Sequence, residues 1–223
     1  MTTRDDGELT LFSARGSGGV AVEAALTLAG QPYRLVDAYT WDKDDPQSGD
    51  RVLAANPMRQ VPALVLPGGE VLTESAAILL WIVEAYPEAR LGPLPGAPGR
   101  AQLLRWVSFV SAAIYSLYWV KDDPSRLVPD PAGHEALESR VLDRIAECWG
   151  KMDAQVEPAA FLLGEAPSVL DLYVAVVSRF RPRRRRFYAV APRMAEVVRR
   201  VDGDPRLAAL WAERMPFGPG WEG

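Results

Sequence analysis

Two short motifs carry most of the chemical information in this sequence. The first is Asn56-Pro-Met-Arg-Gln-Val-Pro62, where Val61-Pro62 stands directly before the apolar run Ala63-Leu-Val-Leu66. A proline at a strand start can follow a cis peptide, which turns the chain so that Val61 offers its N–H and C=O to something other than a neighbouring strand. An edge of that kind can bind a peptide. The second motif is Glu74-Ser75, which opens a helical run. A serine there stands beside free backbone N–H groups at the positive end of the helix dipole, a natural place for a carboxylate. Together the motifs describe a site for a short peptide with a free acid. Each alone also has a plain structural reading, a strand boundary in one case and a helix cap in the other.

The remaining composition narrows the chemistry. One cysteine, Cys148, excludes an internal disulfide framework and a Cys-rich zinc site, and one histidine, His134, removes most metal and Ser-His-Asp chemistry. No metal cofactor is expected. Lys plus Arg number 25 against 29 Asp plus Glu, a net charge of −4, which argues against nucleic acid or a membrane surface as partner. Five arginines fall within Arg181–Arg186, but the run closely follows a helical stretch, where cations complement the dipole, and it reads as a solvated structural face. The start, Met1-Thr-Thr-Arg-Asp-Asp-Gly, is polar, and no run approaches the roughly 18 apolar residues of a membrane span. A cytoplasmic setting is the expectation.

The elements that must position the motifs follow from apolar spacing and from Gly and Pro punctuation. Leu9–Phe12 reads as a strand, Ser13–Gly19 as a glycine-rich loop, Val20–Leu28 as a helix and Tyr33–Val36 as a second strand, a βαβ unit. Residues 40–55 are polar and read as irregular or partly helical. Ala63–Leu66, the turn Pro67-Gly-Gly69 and Val71–Thr73 spell a hairpin, and Ser75–Tyr86 a helix with Ser75 as its cap. Three prolines and three glycines in 90–99 mark a linker. Helices are expected over 100–121, 132–156, 168–180, 191–201 and 205–214. The organisation is therefore residues 1–88 as an α/β unit, 89–99 as linker and 100–223 as an all-helical unit.

A βαβ-ββα unit with Gln60-Val61-Pro62 before its third strand and Glu74-Ser75 before its last helix, joined to an all-helical domain, resembles the cytosolic glutathione S-transferases. Phe161–Asp171 supports this, because Ser168 and Asp171 match the family's capping box before the core helix of the helical domain. The resemblance implies a thioredoxin-like first domain, a homodimer, and glutathione as co-substrate beside an apolar pocket for a hydrophobic electrophile. It implies Val61 as backbone partner of the glutathione cysteinyl group, cis-Pro62 shaping that edge, Glu74 and Ser75 at the γ-glutamyl end, and Gln60 at the backbone or glycyl portion. The implied activity is a transferase. Isomerisation or thiol-dependent reduction on the same site, and a non-catalytic binding protein of the same fold, remain alternatives.

Such chemistry needs a donor at the sulfur, because a thiol of pKa about 8.5 is only a few per cent ionised at pH 7 and the thiolate is the nucleophile. Lowering that pKa by about two units corresponds to roughly 2.7 kcal/mol, within reach of one or two charge-assisted hydrogen bonds and a helix N-terminus. Neither a tyrosine ending the first strand nor a cysteine in the loop is present. The candidates are Ser17 and Ser13, with Ser17 favoured. On the long first helix of the second unit, Tyr115 and Trp119 stand four apart, on one face, and are the second-substrate candidates.

Overall fold

The computed structural model describes residues 7–42 and 44–220; the polar tail over 1–6 lies outside the described residues. Strand β1 (Leu9–Ser13), helix α1 (Gly19–Leu28) and strand β2 (Tyr33–Asp37) form the expected βαβ unit, with β2 parallel to β1 from Leu9 opposite Tyr33 to Ser13 opposite Asp37. A short α2 (Pro46–Asp50) follows, its first turn capped by Asp45, which accepts the Ser48 N–H. Strands β3 (Ala63–Val65) and β4 (Val71–Thr73) add antiparallel to β1, giving a four-stranded sheet in the order β2-β1-β3-β4, and α3 (Ser75–Ala85) closes the thioredoxin-like unit.

Helix begins again at α4 (Arg100–Phe109), continues through a π-helical turn at Val110–Tyr115 into α5 (Ser116–Asp122), and is followed by α6 (His134–Asp153), α7 (Val169–Val177), α8 (Arg184–Val190), α9 (Pro192–Asp202) and α10 (Ala208–Arg214). The continuous helix Arg100–Asp122 is long and apolar enough to cross a membrane by length and composition, contrary to the expectation that no run comes near a membrane span. Here it is a helix of the bundle, with Leu103, Val107, Val110 and Ile114 fully buried as the helix packs on α6 and α7. The nine residues of α7 are all buried, as befits a central helix of high mean hydropathy, and the expected Ser168–Asp171 capping box opens it. Asp171 also accepts the Leu162 N–H at 2.8 Å, tying the preceding loop to the cap.

The arginine run departs from expectation. It is not one solvated face: 184–190 is helical, and Arg184 is fully buried, paired with Asp202 at 2.7 Å and donating to the Ala175 C=O at 2.7 Å. A run of cations masks the helical period of apolar residues, and a carboxylate on a later helix is what makes burial of Arg184 tolerable.

Helix α1 is buried on all sides from Gly19 to Leu26, since the sheet, α3 and α7 enclose it. Small residues at Ala21, Ala24 and Ala25 allow that close approach. Glu23 is the exception in this apolar setting. Its carboxylate accepts the Ser13 hydroxyl at 2.6 Å and pairs with Arg214 of α10 at 2.8 Å, while Arg214 also pairs with Asp37 at 2.7 Å. The Arg214 side chain is 2% exposed. Because Ser13 and Asp37 end the two parallel strands side by side, four residues from four elements meet at the carboxyl edge of the sheet.

Removing one member of a buried ion pair leaves the other uncompensated, so Arg214→Met is expected to cost about 3–5 kcal/mol in urea denaturation. Burial already pushes the Glu23 carboxyl above its usual 4.5, against the pull of Ser13 and Arg214. Without Arg214 its folded-state pKa climbs further, and a raised carboxylate pKa gives stability that is present below the unfolded value and lost as pH rises through the folded one. The deficit of Arg214→Met against the natural protein should therefore be smaller at pH 4 than at pH 7.5. An equal or larger deficit at pH 4 would contradict this account of the network.

Candidate functional site

An open cleft of about 1870 Å³ runs between the sheet unit and the helical bundle. Eight of the nine residues singled out from the sequence line it: Ser17, Gln60, Val61, Pro62, Glu74, Ser75, Tyr115 and Trp119. Ser13 does not. The volume exceeds the roughly 300–1,000 Å³ of a pocket for one small molecule and suits two ligands meeting.

On the sheet side, the Val61–Pro62 peptide is cis. The β1–β3 ladder ends at the pair Phe12–Ala63, so the N–H and C=O of Val61 take no part in the sheet. Buried Asn56 shapes the approach to this edge: its side-chain amide donates to the Gln60 C=O at 2.9 Å and its oxygen accepts the Met58 N–H at 3.1 Å. Glu74 occupies the N-cap position of α3 with φ 66°, a left-handed conformation that costs a non-glycine residue energy and is found where function requires it. Its side chain is exposed on the cleft.

Ser75 is not the cap that the sequence implied. It is the first helical residue, it makes no side-chain capping bond, and its hydroxyl is shared with the Tyr173 hydroxyl at 2.9 Å. Burial pushes the Tyr173 phenol up to about 12, so it stays neutral in this contact. The pair joins the sheet unit to the core helix α7.

The loop between β1 and α1 holds the two serines in opposite circumstances. Ser13 is fully buried and its hydroxyl hydrogen is committed to Glu23. Ser17 lines the cleft, and its oxygen accepts the Gly19 N–H at 3.1 Å, which leaves its own O–H to donate. Every backbone amide from Gly16 to Ala21 already has an acceptor. Gly16 donates to the Arg214 C=O, Ser17 to Ala14, Gly18 to the Tyr115 hydroxyl at 3.0 Å, Gly19 to Ser17 Oγ, Val20 to Ser17 and Ala21 to Gly18.

The glycines of this loop follow from close approach. A Cβ on Gly18 would stand 2.4 Å from the Tyr115 ring, and one on Gly19 2.3 Å from Ser13 Oγ. Neither side chain could then hold its place. Tyr115 thus serves the loop as well as the cleft. Burial pushes its phenol well above the ordinary range, so it meets Gly18 as a neutral hydroxyl.

On the helical side the wall is aromatic with a cationic rim. Phe180 stacks at 5.3 Å from Tyr115 and 5.1 Å from Tyr118, while Trp119 is 46% exposed beneath the Arg126 guanidinium at 4.9 Å. The sequence reading missed Asn56, Tyr118, Phe180 and the arginines at 179, 181 and 183. Asn56 stood in a quoted motif, and the arginines stood in or beside a run already singled out; their placement on a cleft depends on how the chain turns after α7. Among the described residues no group of three or more His, Cys, Asp or Glu could hold a metal ion.

Comparison with known proteins agrees with this geometry. Residues 21–85 match the family model of the glutathione S-transferase N-terminal domain. The uncharacterized GST-like protein YncG of Escherichia coli K12 is 27% identical over 199 residues, 89% of this chain and 95% of its own. The probable glutathione S-transferase BZ2 of Zea mays is 32% identical over 177 residues, 74% of this chain and 68% of its own. The solved structure of a glutathione transferase homolog from Sulfitobacter with bound glutathione superimposes with a TM-score of 0.81 at 25% identity, over 94% of this chain and 99% of that one. An N-terminal match of this kind, joined by a relative 32% identical over 74% of the chain, leaves one assignment: the chain belongs to the glutathione S-transferase family.

Proposed function

We propose that this protein binds glutathione in the cleft and holds its sulfur as a thiolate for attack on an electrophilic small molecule. The observation that carries the proposal is the state of the β1–α1 loop. With the amides of residues 16–21 all engaged, the Ser17 hydroxyl is a neutral loop donor left to face a ligand. It sits at the N-terminus of α1, whose dipole favours negative charge nearby.

In this reading the tripeptide lies along the Val61 edge, exchanging backbone hydrogen bonds with the Val61 N–H and C=O in the manner of an added strand. Its γ-glutamyl carboxylate meets Ser75 and the N-terminus of α3, its ammonium group meets Glu74, and Gln60 reaches the remaining backbone or glycyl portion. Ser17 donates to the sulfur and takes no proton from it. The thiol proton leaves to solvent, the thiolate forms the new C–S bond, and the electrophile's leaving group departs with its electron pair. A bond from a neutral donor to an anion is stronger than one to a thiol, so the contact favours the ionised form selectively.

The first test is retention on immobilised glutathione together with thiol consumption in the presence of 1-chloro-2,4-dinitrobenzene. Both are expected; retention without consumption would leave a binding protein, and neither would remove glutathione as the ligand. Ser17→Ala should slow conjugation about ten- to a thousand-fold, as loss of one anion donor does, and move the rate–pH profile to higher pH. A profile identical to that of the natural protein would exclude Ser17. Ser13→Ala should behave differently, costing about 1–3 kcal/mol of stability through the lost hydrogen bond to the buried Glu23 carboxylate while leaving that pH profile in place. A shifted profile in Ser13→Ala would reverse the two assignments.

A further inference from the structure

The binding scheme just described leaves the helical wall of the cleft without a role, and that wall is charged. We propose that the second substrate carries an anionic group, such as a carboxylate, which Arg181 and Arg183 hold while its apolar body rests on Phe180, Tyr118 and Tyr115. This rests on the glutathione reading of the same cleft and names the class of molecule that meets the thiolate there.

The charge balance is the first observation. The chain as a whole is acidic, yet among the described residues eight Lys and Arg line the cleft against three Asp and Glu. Several of the eight are already answered. Arg59 is paired with Asp50, Arg15 with Glu213 and Arg214 with Glu23 and Asp37, while Lys121 and Arg126 meet the adjacent Asp122 and Asp123. Arg181 is exposed on the cleft and makes no ion pair with any described residue.

The second observation is how the chain after α7 is turned. The Arg183 N–H donates to the Phe180 C=O at 2.8 Å, closing a tight turn in which Arg183 adopts φ 83°, a strained value for a residue with a side chain. This turn divides the arginines. Arg184 goes inward to Asp202, whereas Arg181 and Arg183 remain on the cleft beside Phe180. Arg179, just before the turn, donates to the main-chain oxygens of Met215 and Pro216, which bear no full charge. Burial pulls the Arg179 guanidinium down to about 10; Arg184 and Arg183 nearby push the same way, and Asp202 only partly offsets them.

The third observation is shape. Planar guanidinium groups bind carboxylates through paired hydrogen bonds, and they stand next to an aromatic floor built from rings 5.1 and 5.3 Å from Phe180. A neutral apolar ligand on that floor would strip water from the cations with no anion in exchange, which is unfavourable. A planar molecule with an acid at one end fits both parts. The apolar pocket implied by the family resemblance would, in this proposal, carry a cationic edge.

The test compares 3,5-dinitrobenzoate with 3,5-dinitrobenzamide, binding being read from tryptophan fluorescence quenching on the full chain, with and without saturating glutathione. The benzoate should bind at least ten-fold more tightly in both conditions, and added salt should erode that advantage. Arg181→Gln, at an exposed position, should bring the ratio of affinities towards one, and Arg181→Gln/Arg183→Gln should abolish it. Equal affinities, or a ratio untouched by Arg181→Gln, would overturn the proposal. A benzoate preference that vanishes when glutathione is added would also overturn it, by showing that these arginines serve the tripeptide's own carboxylates. Loss of the glutathione reading would instead show as failed retention on immobilised glutathione, a separate result.

Discussion

A carboxylate in the middle of a helix enclosed on every side has to be answered, and here the answer comes from the far end of the chain. Glu23 meets Arg214 across 191 residues of sequence, and the same guanidinium reaches Asp37 at the end of β2. In the low dielectric of this site an unpaired charge would be far more costly than the pair, so α10 is held against the sheet unit. The Arg214 C=O in turn accepts the Gly16 N–H, and Glu23 takes the Ser13 hydroxyl. The start and the middle of the β1–α1 loop are thereby fixed through one ion pair, and Tyr115 holds Gly18 on the far side of Ser17.

The same logic runs through the contacts between the sheet unit and the bundle. Tyr115 and Tyr173 each carry a neutral hydroxyl from the helical side to a polar group at the edge of the sheet unit, Gly18 in one case and Ser75 in the other. Their rings pack edge to face at 6.3 Å. The two hydroxyls and the groups they meet are all partnered, and together they set the cleft's two walls in a defined relation. The π-helical turn at Val110–Tyr115 belongs to this arrangement, since it carries Tyr115, Ser111 and Ala112 onto the cleft.

What could be read from the sequence was whatever neighbours along the chain decide. The strand, helix and hairpin order of the first 85 residues was marked by Gly and Pro, and the Ser168–Asp171 box was visible because its partners are three apart. The Val61-Pro62 and Glu74-Ser75 pairs were visible too, and the fold brings them to one cleft. Non-local pairing was hidden. Nothing near Ser13 announced that its proton would go to Glu23, and nothing near Ser75 pointed to Tyr173, 98 residues away. Arg184 looked like its neighbours until Asp202 was placed beside it. Helix α8 was obscured for the same reason, since its first turn has charge where a buried helix shows apolar residues.

The central claim is that this cleft stabilises negative charge on a bound thiol. Free glutathione ionises with a pKa of about 8.5. Titrating the sulfur of bound glutathione by its thiolate ultraviolet absorbance tests the claim without any electrophile. The account predicts a midpoint about two units lower than in buffer, near or below neutrality; a midpoint unchanged from that of free glutathione would contradict it.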